Sequence, residues 1–120
     1  MGLKEYIQRF KENYIKNKVA RAETPEFPSS PIVRKKIIFS GKVQNVGFRF
    51  EIFNLAKKLE LKGWVKNMED DTVKLEIQGE ENRIQFLVKH MKSLKRANVA
   101  HVEVDKISLV EDESDFNIIM

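Results

Sequence analysis

From residue 32 onward the spacing of apolar residues keeps switching between the two-residue period of a strand and the longer period of a helix. That succession constrains the fold more tightly than any composition figure. Ile37-Ile38-Phe39 forms a short apolar run that stops at Ser40-Gly41, which predicts a buried strand. From Phe48 to Leu61, Ile52, Leu55, Ala56 and Leu59 fall on one helical face, and Lys62-Gly63 supplies a stop. Trp64-Val65 opens a short strand. Val73, Leu75 and Ile77 alternate with Lys74, Glu76 and Gln78 in the next one, with Glu69-Asp70-Asp71 as the hairpin turn between. Ile84, Leu87, Val88, Met91 and Leu94 mark a second amphipathic helix. Val102 and Val104, then Ile107 and Leu109, predict a strand with a register change at Asp105-Lys106, and Phe116 to Ile119 a short final strand.

The order strand, helix, strand, strand, helix, strand predicts an α+β fold, the ferredoxin-like split βαβ plan (βαββαβ). Two helices cover one face of an antiparallel sheet. Upstream, Pro25, Pro28 and Pro31 exclude helix across residues 22–31 and predict an extended linker. Before it, Leu3, Ile7, Phe10 and Tyr14 recur at helical spacing, widened by Tyr6, Ile15 and Val19, which predicts an amphipathic helix of about 17 residues. The chain therefore divides into an N-terminal helix (1–21), a Pro-rich linker (22–31) and a globular domain (32–120). Such a helix is marginal alone in water, so it must dock on its own domain, pair with a second copy or lie on a surface. Self-association or docking is expected over membrane binding, because Glu5 and Glu12 dilute the charge of Lys4, Arg9 and Lys11. The helix is expected to be dispensable for catalysis.

Composition removes several classes of function. The 120 residues contain no cysteine, which excludes thiolate nucleophiles, redox pairs, disulfides and cysteine-based metal sites. Two histidines far apart, His90 and His101, offer no metal cluster and are expected on the surface with no catalytic role. No apolar stretch is long enough to span a bilayer and no secretory signal is visible, so a cytoplasmic location is expected. The net charge of +4 favours anionic partners, but it is spread along the chain rather than gathered into a nucleic-acid footprint.

The informative segment is Gly41-Lys42-Val43-Gln44-Asn45-Val46-Gly47-Phe48-Arg49, at the passage from the first strand to the first helix. A glycine-containing loop lets successive backbone N–H groups converge, and the helix N-terminus adds unpaired N–H groups and a positive dipole end. Arg49 can grip two phosphate oxygens with its planar fork. By itself this is also how a tight turn with a surface arginine reads. Asn67, near the end of the Gly63-Trp64-Val65-Lys66-Asn67 strand, carries an acceptor and donors on one uncharged group and could hold a water. It could equally form a turn. Trp64 and Phe39 are expected in the core.

Together the two segments are specific. Val43-Gln44-x-Val46-Gly47-Phe48-Arg49, followed fourteen residues later by Gly63-Trp64-Val65-x-Asn67, resembles the acylphosphatase family. Asp70-x-Thr72-Val73 and Gln78-Gly79 fit as well, and the resemblance runs from about Ile32 to Met120. It implies the ferredoxin-like fold and hydrolysis of the carboxyl–phosphate anhydride of acyl phosphates, without metal or organic cofactor. By it, the backbone of Gln44, Asn45, Val46, Gly47 and Phe48, together with Arg49, would hold the phosphate, and Asn67 would position the attacking water. Three positions depart from the family. Asn45 stands where glycine is usual, at roughly 1 kcal/mol of strain if φ is positive there. Asp71 replaces a hairpin glycine, and Met68 a common threonine. Two competing readings are a non-catalytic phosphate-binding or protein-docking domain and an RNA-binding module. The second lacks an aromatic platform on the strand Val73 to Gln78, and no nucleic-acid partner is expected.

Overall fold

The computed structural model describes residues 2–120. The elements are α1 (Leu3–Arg21), β1 (Ile32–Lys42), α2 (Phe48–Lys58), β2 (Lys62–Asn67), β3 (Val73–Glu80), α3 (Glu81–Lys92), β4 (Asn98–Ile107) and β5 (Phe116–Ile119). They form one sheet in the order β4-β1-β3-β2-β5. The four strands of the split βαβ unit pair antiparallel, and β5 adds to β2 in parallel, so the sheet is mixed rather than purely antiparallel.

Alternation along the strands decides which face is covered. Ile37 and Phe39 of β1, Val65 of β2, and Val73, Leu75 and Ile77 of β3 are fully buried under the helices. They meet Ile52, Leu55 and Ala56 of α2 and Ile84, Leu87 and Met91 of α3. Each of these side chains apart from Ala56 contributes about 1.5–3 kcal/mol by leaving water. Residues one step out of phase line the open face. Trp64 is among them: it is half-buried beside the Lys74 ammonium, 5.9 Å from the ring centre, and not in the core as expected. Phe39 is in the core.

Two predicted boundaries move. α2 stops before the glycine, because Glu60 takes the left-handed conformation (φ 60) at its C-terminus. Leu61 N–H then donates to Ala56 O at 2.8 Å and Glu60 N–H to Lys57 O at 3.1 Å, closing the last turn without glycine. Gly63 lies inside β2 for a different reason. A Cβ there, at φ +136, would stand 1.9 Å from the Glu76 carbonyl oxygen of β3. In β4 the register shift falls opposite Ser40/Gly41 and not at Asp105-Lys106, and Leu109 lies beyond the strand, exposed.

The N-terminal helix docks on its own domain, using only the C-terminal part of the stripe that its periodicity suggests. Ile15 and Val19 are buried in the common core, while Leu3, Tyr6, Ile7, Phe10 and Tyr14 remain exposed. The Lys58 ammonium of α2 caps its C-terminal end, donating to the carbonyls of Val19 (2.9 Å), Ala20 (3.3 Å) and Ala22. Residues 22–31 lie along α3. Phe27 packs edge-on against Phe86 at 5.6 Å, and Asn82 bonds Pro28 O and Ser30 Oγ. Among the described residues no helix is long and apolar enough to cross a membrane.

Candidate active site

Between β1 and α2 the chain turns through residues 43–47, and its side chains are used to hold that turn in shape. Val43 is buried and anchors the strand end. The Gln44 carboxamide donates to Met68 O and Thr72 O, each at 2.9 Å, stapling the loop to the β2–β3 turn. Asn45 has φ 63, the left-handed conformation that asparagine tolerates better than most residues. Gly47, at φ 76, is the N-cap of α2, and a Cβ on it would lie 2.5 Å from Ile15 Cδ1 of α1. Phe48 drops its ring into the core against Phe39, with centroids 5.1 Å apart. None of the N–H groups of residues 44–47 donates to a backbone carbonyl among the described residues.

Arg49 follows in the first turn of α2, half-exposed. Hydrogen bonds from arginine side chains belong to Arg34, Arg83 and Arg96; Arg49 makes none among the described residues. Its donor fork is unspent. Asn67 ends β2, paired with Val73, and its Oδ1 is buried without accepting a hydrogen bond. A buried acceptor left so costs about 1–3 kcal/mol; Asn82 Oδ1 is another, but only Asn67 lies at the cleft. Asn45, Val46, Gly47, Phe48, Arg49 and Asn67 all line one cleft of about 930 Å³. The Gln44 side chain does not; it is engaged with the neighbouring turn.

A second layer was not expected from the sequence. Arg96, just after α3, donates from Nε to Val46 O at 2.9 Å and from Nη2 to Glu51 Oε1 at 2.5 Å. Glu51, only 1% exposed, also meets His90 Nε2 at 2.6 Å. Carbonyl and N–H of a trans peptide point in opposite directions, so fixing Val46 O also fixes the Gly47 N–H. Burial pushes the Glu51 carboxyl up, but the hydrogen bonds and charges of His90 and Arg96 outweigh it and hold it below the usual glutamate range. His90 is therefore not the bare surface residue expected; His101 is exposed. The available signal was a carboxylate at position 51, one turn from both Phe48 and Leu55 on the apolar stripe of α2.

In the β2–β3 turn, Met68 N–H donates to Thr72 O at 2.9 Å, and Asp71 takes φ 69. The Asp70 carboxylate accepts from Thr72 Oγ1 at 2.6 Å, which lowers its pKa. Among the described residues no three His, Asp or Glu side chains gather as a metal-holding group. The arrangement offers unspent backbone donors, an unpaired guanidinium and a buried amide acceptor in one concave place. That set suits a small anion and a water.

A family model described as Acylphosphatase matches residues 35–118. Over 85 residues the chain is 38% identical to an acylphosphatase of Bifidobacterium longum, covering 70% of this chain and 88% of that protein. It is 37% identical over 86 residues to an acylphosphatase of Geobacillus kaustophilus, covering 71% of this chain and 92% of that protein. Among solved structures, the acylphosphatase from Bacillus subtilis superposes with a TM-score of 0.69 at 33% identity, covering 75% of this chain and all of that one.

Proposed function

The chain belongs to the acylphosphatase family and is an acylphosphatase, and from that premise we propose how its own residues divide the work. The phosphoryl group of an acyl phosphate sits against the backbone N–H groups of residues 44–48, with the Arg49 fork on two of its oxygens. The Asn67 carboxamide, on the cleft wall, holds a water and aims it at phosphorus. The water oxygen bonds to phosphorus, the anhydride P–O bond breaks, and the water's proton ends on the phosphate. The carboxylate leaves with the bonding electrons. It is a weak base, so its departure needs no general acid, and what remains is positioning and charge stabilisation.

The observation that carries this reading is the pairing of an unspent arginine fork with the incompletely bonded Asn67 carboxamide on the wall of the same cleft. A chelator-containing assay on an aryl acyl phosphate tests it. Arg49→Ala is expected to lower kcat/KM by about a hundredfold or more, a loss on the order of 3 kcal/mol of transition-state stabilisation. Lysine at position 49 rescues poorly, since a point charge lacks the fork. Unchanged kcat/KM in Arg49→Ala removes Arg49 from the mechanism. The exposed line of Leu3, Tyr6 and Ile7 on the outer half of α1 supports self-association as well. Solution mass of the full chain against Leu3→Ser/Ile7→Ser decides that point.

A further inference from the structure

The cleft is far larger than a phosphoryl group requires, and the surplus has a distinct chemistry. Beyond the loop, Arg49 and Asn67, its walls include Phe10 and Tyr14 of α1, Phe50 of α2, and Ile118 and Met120 at the end of the chain. Phe10 and Tyr14 are 66% and 58% exposed, aromatic surface that no part of the described chain covers. Phe50 stacks on Phe53 with centroids 6.2 Å apart, so its ring direction is set from within α2. Small-molecule sites combine this kind of apolar lining with a few convergent polar groups.

The wall is also held in register with the anion site. Ile15 of α1 touches Gly47 so closely that a Cβ has no room, and Lys58 ties the end of α1 to α2. Gln8 Nε2 donates to Glu12 Oε1 at 3.2 Å, occupying a carboxylate of the same lining. α1 lies outside the residues that the family model matches. We propose that α1 builds an acyl-group subsite, with Phe10 and Tyr14 packing against the bulky apolar or aryl acyl portion of the substrate while the loop and Arg49 hold its phosphate. The inference rests on the assignment of the phosphate site above, and it makes α1 a specificity element rather than an appendage dispensable for catalysis.

The test compares kcat/KM for benzoyl phosphate and acetyl phosphate in the full chain. Phe10→Ala and Tyr14→Ser, both at exposed positions that the fold does not rely on, are expected to lower the benzoyl-to-acetyl ratio by about tenfold. Phe10→Leu recovers part of it by restoring apolar bulk, and Leu3→Ser, on the same helix outside the cleft lining, keeps the wild-type ratio. A ratio unmoved in both cleft variants overturns the subsite, as does an equal fall for both substrates. Failure of the phosphate-site assignment looks different: Arg49→Ala would then retain turnover of both substrates whatever the ratio does.

Discussion

Arg34 and Arg49 are the same side chain put to opposite uses. Arg34, near the start of β1, is 2% exposed and fully engaged. Its Nε donates to Glu76 at 3.1 Å, Nη1 to Gln78 at 3.3 Å and Glu113 at 2.7 Å, and Nη2 to Glu113 at 3.3 Å. Burial disfavours the charge there, but the bonds and charges of Glu113 and Glu76 outweigh it and raise the pKa. Arg49 has water on one side and no protein acceptor among the described residues. The deeper arginine stitches the 108–115 segment to the open face of the sheet; the shallower one spends none of its fork on the described chain. Burial alone would single out Arg34 as the functional arginine. Unspent hydrogen-bonding capacity picks the other.

The comparison breaks if the two arginines respond alike to removal. Arg49→Ala, with its hundredfold or greater loss of kcat/KM, is expected to leave the urea midpoint within about 0.5 kcal/mol of wild type, as surface changes usually do. Arg34→Met is expected to lose about 2–3 kcal/mol of stability while the folded fraction keeps its turnover. That figure is at or below the low end for a broken buried pair, because Glu76 and Glu113 retain some contact with water. Loss of activity without loss of stability in Arg34→Met would sink the contrast.

Asn67 extends the same logic to a carboxamide. Asn67→Ala removes the carboxamide proposed to hold the water, and kcat is expected to fall about tenfold to a hundredfold. Inhibition by inorganic phosphate should stay nearly constant, because the anion ligands are untouched. A parallel collapse of phosphate affinity would merge the two roles.

Glu51 sharpens the comparison from the side of acid. Its carboxyl titrates lower in the folded chain than in the unfolded one, so the stabilisation is complete above the ordinary glutamate pKa of about 4.3 and disappears as pH falls through the folded value. Wild type is expected to lose stability more steeply between pH 5 and pH 3 than Glu51→Gln. At neutral pH the variant should be weaker by about 1.5 kcal/mol, the scale of a hydrogen bond to a charged group. Parallel pH profiles would show that the depressed carboxyl contributes nothing. Smallest of all, Asn45→Gly relieves roughly 1 kcal/mol of left-handed strain at φ 63 but loosens the unfolded and bound loop alike. Activity is expected to stay level or rise modestly; a large loss in a folded protein would give the Asn45 side chain a role of its own.

Elements whose apolar period is unbroken were legible from sequence. The β3 alternation of Val73, Leu75 and Ile77 and the α3 stripe of Ile84, Leu87 and Met91 lie where the period puts them. The positive φ at Asn45 followed from a glycine-like loop position. What escaped was decided by partners distant in the chain. The end of α2 at Glu60 depends on a turn that glycine normally marks, and the open-face position of Trp64 on the sheet's covering. The α1 stripe was only partly informative, because amphipathic spacing says which residues share a face, not how much of that face meets the domain: Ile15 and Val19 are buried and the rest is exposed. Arg96 reaches back fifty residues to Val46, a contact no local pattern announces. Among the residues lining the cleft, Arg49 and Asn67 were legible as candidate chemistry; the aromatic contribution of α1 was not.

Lys58, Gly47 and the α3 side chains Asn82 and Phe86 all come later in the chain than α1 and the 22–31 segment that they hold. On a translating ribosome, at about 5–20 residues per second, α1 therefore waits a few seconds for Gly47 and Lys58 to be made. Throughout that interval it is a lone, marginal helix whose lysines and glutamates have to keep its aromatic line dissolved. Seating α1 thus waits on α2, and a nascent chain carries residues 43–47 before the flank beside them can close.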